Sequence, residues 1–323
     1  MKPKVFVTRP LPKPVLDLLA ARTELRFHHE DTSIPAAALA AACRDTEGLL
    51  AVGARVTVEV LQAAAKLRVV ANAGVGVDHV DVAACTARRI AVTNAPGGVE
   101  EATADLAFAL LLAAARRVVE GDRTIRQGRW QHWQWDLLWG ADVHHKTLGI
   151  YGFGHIGQAM ARRGRGFAMR ILYYSRHRVA ESVERELGAE YVDRGTLLRN
   201  SDFLSLHVPL TLETERLIQA RDLALMKPSA FLINTARGRV VDEEALASAL
   251  KAGKLAGAGL DVFEREPRVH PTLLEMSNVV LLPHIGSATA ETRLQMARLA
   301  AENLLAALEG RRPPNLVNPE IYG

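Results

Sequence analysis

The stretch Leu148-Gly149-Ile150-Tyr151-Gly152-Phe153-Gly154-His155-Ile156-Gly157 decides how this 323-residue chain is read. Its first four residues are an apolar run of strand type. The next six spell Gly-x-Gly-x-x-Gly and open a helical pattern over 158–167. Three glycines alone say little; three glycines between a strand and a helix say much more. The first makes a tight turn, the second lets a pyrophosphate approach the backbone, and the third lets the helix pack on the strand. Unpaired N–H groups at the helix N-terminus then suit phosphate. The stretch predicts a dinucleotide-binding unit.

The next strand, 170–174, runs into Ser175-Arg176-His177-Arg178. Ser175 stands 23 residues past Gly152, about where an Asp or Glu would hold the ribose hydroxyls of NAD. A carboxylate there would repel a 2′-phosphate, whereas serine and arginine would bind one by hydrogen bond and ion pair. The expected cofactor is NADPH, with NADH possible as a poorer one.

Outward from this loop, short β-rich runs alternate with Ala/Leu helical patterns. Strands are expected at 4–8, 25–28, 48–52, 67–71 and 90–93, with helices at 14–21, 35–43, 58–65 and 80–88 between them. Such alternation predicts an α/β fold of parallel strands with helices on both faces. Asn94-Ala95-Pro96-Gly97-Gly98 interrupts it as a plausible hinge. One long helix is expected from Glu101 to about Arg126, followed by Trp130, Trp133, Trp135 and Trp139. A second series has strands at 148–151, 170–174, 203–207, 230–234, 257–262 and 279–282. An amphipathic helix over 288–308 comes last. Two doubly wound parallel-sheet domains follow: residues 1–98 completed by 287–323, and residues 99–286.

Composition narrows the function. Forty Lys and Arg against 36 Asp and Glu give a net charge of +4 without a run of like charges, which argues against nucleic acid as a partner. Cys43 and Cys85 form no paired motif, no zinc spacing can be written, and a reducing compartment fits. No metal is expected. No signal-peptide pattern opens the chain and no apolar run reaches membrane-spanning length, so a cytoplasmic protein without a membrane partner is expected.

Three strand ends carry candidate chemistry. Asn234-Thr235-Ala236-Arg237-Gly238 offers a guanidinium fork that suits a carboxylate. Pro283-His284-Ile285-Gly286-Ser287 offers an imidazole that titrates near neutrality. Asp261-Val262-Phe263-Glu264-Arg265-Glu266-Pro267 offers carboxylates able to favour its protonated form. Singly, each has a bland reading as a surface ion pair or a structural histidine. Together, downstream of a nucleotide loop, they predict reduction of a small 2-keto acid, which needs a cation for the carboxylate and an acid for the new alkoxide.

These residues bring a resemblance with them. Asn72-Ala73-Gly74-Val75-Gly76-Val77-Asp78, Gly152 to Gly157, His207-Val208-Pro209-Leu210-Thr211, Asn234 to Gly238, Asp261 to Pro267 and Pro283 to Thr289 make the chain similar, over essentially its whole length, to the D-isomer-specific 2-hydroxyacid dehydrogenases. Tyr173-Tyr174-Ser175-Arg176 and the tryptophans are most similar to the glyoxylate/hydroxypyruvate reductase branch. The resemblance implies a flavodoxin-like substrate domain and a Rossmann coenzyme domain with the site in the cleft. It gives Arg237 the substrate carboxylate, His284 the proton, and Glu266 the pairing with His284. The backbone N–H groups of Val75 and Gly76 would add an anion nest. Phe153, Gly154, His155, Ile156, Ser175, Arg176, His177, His207, Pro209, Thr235, Ala236, Arg237, Asp261, His284 and Gly286 would line the cofactor. A homodimer through the coenzyme domain is also implied.

Two positions depart from the family pattern. His155 stands where arginine is frequent, and His145 stands where glycine is common. The tryptophans read either as a packed corner or dimer contact, or as the source of a residue, Leu137 or Trp139, that reaches a neighbouring site. The runner-up is another enzyme of the same scaffold, of phosphoglycerate, D-lactate or phosphite type. A formate dehydrogenase would carry Gln at 266, and a phosphoglycerate dehydrogenase would be expected to carry a further domain. A nucleotide-sensing corepressor is the alternative from another class.

Overall fold

The computed structural model describes residues 1–322, which form two compact units: Met1–Val99 with the chain from Ala288 onward, and Glu100–Ser287. The first unit alternates β1 (Lys4–Val7), α1 (Lys13–Arg22), β2 (Glu24–Phe27), α2 (Ala36–Cys43), β3 (Gly48–Ala51), α3 (Val58–Ala63), β4 (Val69–Asn72), α4 (Val82–Ala87) and β5 (Ala91–Thr93). Its sheet runs β2-β1-β3-β4-β5, every pair parallel. A parallel sheet must be covered on both faces, so its central strands are apolar throughout rather than alternating. Accordingly the central β3 and β4 are buried at every position, and so is β5 at the edge. Leu39, Cys43, Leu61, Val70 and Val92 pack on one side.

The second unit contains α5 (Val99–Ala115), α6 (Val118–Arg126), β6 (Thr147–Tyr151), α7 (His155–Gly166), β7 (Arg170–Tyr174), α8 (Glu181–Leu187), β8 (Ala189–Tyr191), α9 (Arg194–Asn200), β9 (Phe203–Leu206), α10 (Ala220–Leu223), β10 (Phe231–Asn234), α11 (Glu243–Lys251), β11 (Gly257–Leu260), α12 (Pro271–Leu274) and β12 (Val279–Leu281). Its parallel sheet runs β12-β11-β10-β9-β6-β7-β8. Strand order reverses between β6 and β9, so the loops after these two strands part at a switch point where doubly wound sheets bind ligands. Then α13 (Ala290–Leu308) returns to the first unit. It lays Ala297, Ala300, Ala301, Leu304 and Leu308 against Val5, Val7, Leu50 and Val69. The Asn303 amide donates to the Asn94 carbonyl at 3.0 Å, and Asn318 accepts from the Val92 N–H at 2.8 Å.

One expectation is corrected. The helix expected from Glu101 to Arg126 is two helices. The Ala115 carbonyl accepts the N–H of Ala141 at 2.8 Å, and Arg117 adopts a left-handed φ of 54°. The tryptophans after α6 are no buried corner of this chain: Trp133 is 71% exposed and Trp135 76%, with Trp130, Trp139, Val118 and Ile125 exposed nearby in sequence. Among the described residues, no helix is long and apolar enough to cross a membrane.

Candidate active site

The glycine loop follows β6, and each glycine has its own reason. Gly152 has φ +93°, and a Cβ there would meet the His207 carbonyl oxygen at 2.5 Å, because the loops after β6 and β9 nearly touch. A Cβ at Gly157 would meet the Gly152 carbonyl at 2.2 Å, so α7 can sit this close only with glycine. A Cβ at Gly154 would meet nothing within 4 Å. Gly154 caps α7, and no side chain caps that helix end. Open space ahead of uncapped N–H groups fits a dinucleotide pyrophosphate. Thr235, beyond β10, adds a buried hydroxyl without a hydrogen-bond partner among the described residues. Ser175, Arg176 and His177 follow β7, and Arg176 and His177 are exposed. His207 bonds Ser205 through Nε2 at 2.8 Å, and burial pushes its pKa down to about 4. It is therefore neutral at physiological pH.

Three further loops bring the reactive side chains together. After β10, Asn234 organises the turn: its side chain accepts from the Ala236 N–H at 3.0 Å and donates to the Arg237 carbonyl at 2.9 Å. This is the local chemistry by which Asn favours turns. Gly238 then comes against the next loop; a Cβ on it would lie 1.9 Å from the Phe263 carbonyl carbon. Only glycine lets the Arg237 turn approach the loop after β11 so closely.

After β11, fully buried Asp261 accepts from the Ile285 and Gly286 N–H groups, both at 2.8 Å, while its carbonyl accepts from the His284 N–H at 2.8 Å. Asp261 thus holds the turn that presents His284, whose φ is +53°. A left-handed non-glycine residue is uncommon and persists where surrounding bonds enforce it. Burial raises the Asp261 pKa, opposed by those backbone bonds and by His284.

His284 Nδ1 donates to a Glu266 carboxylate oxygen at 2.9 Å, and the other Glu266 oxygen accepts from the Phe263 N–H at 3.0 Å. Glu266 raises the His284 pKa through this bond against the opposing pull of burial. Burial pushes Glu266 upward, but His284 and the Phe263 amide outweigh it and the net shift is downward. Half-buried Arg237 lies near enough for its charge to act on both. The pair borders an apolar cavity of about 270 Å³ lined by Phe263, Val269, Leu274, Leu281 and Pro283. A cation, an imidazole whose pKa is raised and a carboxylate thus share the C-terminal ends of neighbouring strands.

In the first unit, Val75 and Gly76 follow β4. Carbonyls of this loop are tied down: Asn72 donates to those of Gly74 and Gly76, and Asn94 to that of Val75. Sequence reasoning missed the roles of Asn234 and Gly238, and saw Asp261 as one of the carboxylates on offer to His284 and as a neighbour of the cofactor, not as the holder of the His284 turn. An Asn closing a strand before a turn was the available signal; the approach of Gly238 to Phe263 left none. His155 opens α7 exposed, and His145 takes φ +60°, a left-handed conformation that glycine adopts freely.

Known proteins converge on the same description. Residues 108–286 match the D-isomer specific 2-hydroxyacid dehydrogenase, NAD binding domain. A glyoxylate reductase of Thermococcus litoralis is 51% identical, with 99% of this chain and 98% of that protein covered. A crystal structure from Thermus thermophilus superposes with a TM-score of 0.90 at 47% identity, covering 97% of this chain and 99% of that one. An NADPH-dependent glyoxylate/hydroxypyruvate reductase of Sinorhizobium meliloti, solved with NADP and malonate, gives 0.89 at 36% identity, covering 98% and 97%. With a glycine loop at the switch point of a parallel sheet, and Arg237, Glu266 and His284 around it, the chain belongs to the D-isomer specific 2-hydroxyacid dehydrogenase family.

Proposed function

We propose that this protein reduces glyoxylate, and hydroxypyruvate with it, to the corresponding 2-hydroxy acid, with NADPH as the preferred cofactor. The observation that carries this reading is the gathering of Arg237, Glu266 and His284 at the strand ends beside the glycine loop. The relatives add to it, since they are named for glyoxylate reduction.

Arg237 grips the substrate carboxylate with its planar fork and orients the keto group. The Val75 and Gly76 N–H groups are assigned to a carboxylate as an anion nest. The chemistry supplied by a bound nicotinamide is hydride donation to the keto carbon. His284, protonated, delivers its proton to the keto oxygen, and Glu266 stabilises the imidazolium and fixes which nitrogen is engaged. Asp261 keeps the His284 turn in place. The first-turn N–H groups of α7 take the pyrophosphate, Ser175, Arg176 and His177 take the ribose 2′-phosphate, and His207, Pro209, Thr235 and Ala236 line the remainder. The exposed apolar surface of α6 and the tryptophan segment is assigned to a homodimer contact.

The test is the initial rate of cofactor oxidation with glyoxylate, hydroxypyruvate and pyruvate, each with NADPH and NADH. Fast NADPH consumption with glyoxylate or hydroxypyruvate is expected. Activity with NADH alone would overturn the cofactor preference, and silence with all three acids would overturn the substrate.

A further inference from the structure

Glu184 is a carboxylate in the wrong place for packing. It lies on the short α8 and is 7% exposed. A leucine there would cover the sheet without a desolvation cost, and an ion pair whose arginine, Arg178, is 61% exposed is a poor source of stability. Such a pair does fix geometry.

Every partner of this carboxylate serves the loop after β7. Arg178 donates to it as a fork, Nε to one oxygen and Nη2 to the other, both at 2.8 Å. The Tyr173 hydroxyl donates to it at 2.6 Å and accepts the Val179 N–H at 3.2 Å. Tyr173 is fully buried, and its ring stacks on Phe153 of the glycine loop with centroids 4.0 Å apart. The Arg178 guanidinium sits 5.8 Å from the Tyr191 ring centre, and the Tyr191 hydroxyl donates to the Ser175 carbonyl at 3.5 Å. The loop is therefore anchored at Ser175 and again at Arg178 and Val179. Arg176 and His177 stand exposed between the anchors. Arg178 and Tyr173 hold the Glu184 carboxyl at about 2 despite burial, so the clamp stays charged at any working pH. Burial pushes the Tyr173 hydroxyl up to about 12, so it remains a donor.

We propose that Glu184 is a positioning residue for cofactor selection: through Arg178 and Tyr173 it pre-sets the 175–179 loop so that Ser175 and Arg176 meet the ribose 2′-phosphate. The proposal rests on the NADPH reading above. A loop ordered before binding avoids the entropic cost of ordering on binding, so its effect falls on affinity for the phosphate-bearing cofactor.

The experiment compares kcat and KM for NADPH and NADH in the wild type, Arg176→Ala, Glu184→Gln, Tyr173→Phe and the Arg176→Ala/Glu184→Gln pair, with Tm for each. Glu184→Gln is expected to raise the NADPH KM roughly tenfold, with the loss in KM and not in kcat and little change for NADH. Tyr173→Phe, which removes one oxygen, should give a smaller change of the same sign and carries the test if Glu184→Gln fails to fold. The pair should prefer NADPH no less than Arg176→Ala alone. A lower Tm with unchanged cofactor preference would reduce Glu184 to packing and overturn the proposal. A stronger NADPH preference would overturn it too, since a released Arg178 would itself be the phosphate ligand. No effect of Arg176→Ala would instead overturn the NADPH reading and the proposal with it.

Discussion

Glu266 and His284, 18 residues apart in sequence, are joined by a 2.9 Å hydrogen bond from Nδ1 to a carboxylate oxygen. The bond commits Nδ1 and leaves Nε2 as the nitrogen of the proposed proton transfer. Replacing His284 by Ala is expected to cost roughly 10²–10⁴ in turnover. The pH profile carries a sign. Glu266 raises the His284 pKa above its ordinary 6.5, and the proposed reduction uses the protonated ring. The rate is therefore full at low pH and falls as pH rises through the raised value. On the acid side it falls only when Glu266 is protonated, below the ordinary 4.5 because its pKa is lowered. Glu266→Gln should move the alkaline limb of kcat/KM to lower pH and reduce kcat by about 10². An unmoved limb would place the proton on another group.

Arg237→Lys tests whether charge or geometry matters. Lysine keeps the charge and loses the fork. A loss of about 10² in kcat/KM for glyoxylate is expected, because a misplaced carboxylate displaces the reacting carbon. Near-wild-type kinetics would show that a point charge suffices.

Gly238→Ala should be severe although the residue performs no chemistry. Its Cβ would lie within 2 Å of the Phe263 carbonyl carbon and oxygen, which are backbone atoms without rotamers to yield. A stability loss of about 3 kcal/mol is expected, with a raised keto-acid KM as Arg237 is pushed aside. Denaturant melts and steady-state kinetics on the same preparation measure both. Full stability would mean that the two loops part easily.

The exposed Trp133 and Trp135, with rings 6.1 Å apart, are the candidate centre of a dimer contact. Replacing both with Ser should weaken the proposed dimer roughly a thousandfold, since buried aromatic anchors contribute about 2 kcal/mol or more each. Sedimentation across a concentration series reads this directly, and an unchanged profile would send the contact elsewhere.

Much of the fold was legible because burial on both faces writes parallel strands as plain apolar runs. Arg170–Tyr174 was found to the residue on that ground. Ala189–Tyr191 was invisible: three residues at a sheet edge, with Glu190 in the middle, make no pattern. The break between α5 and α6 was hidden as well. The residues around Arg117 favour helix, and what ends it is the N–H of Ala141, from a later segment. In the site, Arg237, Glu266 and His284 stood out because each follows a strand. The left-handed turn at His284 did not, because Asp261 enforces it and no glycine announces it.

The return of α13 sets a timetable for synthesis. The second unit has its whole sequence once Ser287 has emerged, whereas the sheet bearing Val5, Leu50 and Val69 waits for Ala297 to Leu308. The portion translated first is thus the last to be finished, and until then it carries a bare apolar surface of the kind that chaperones bind.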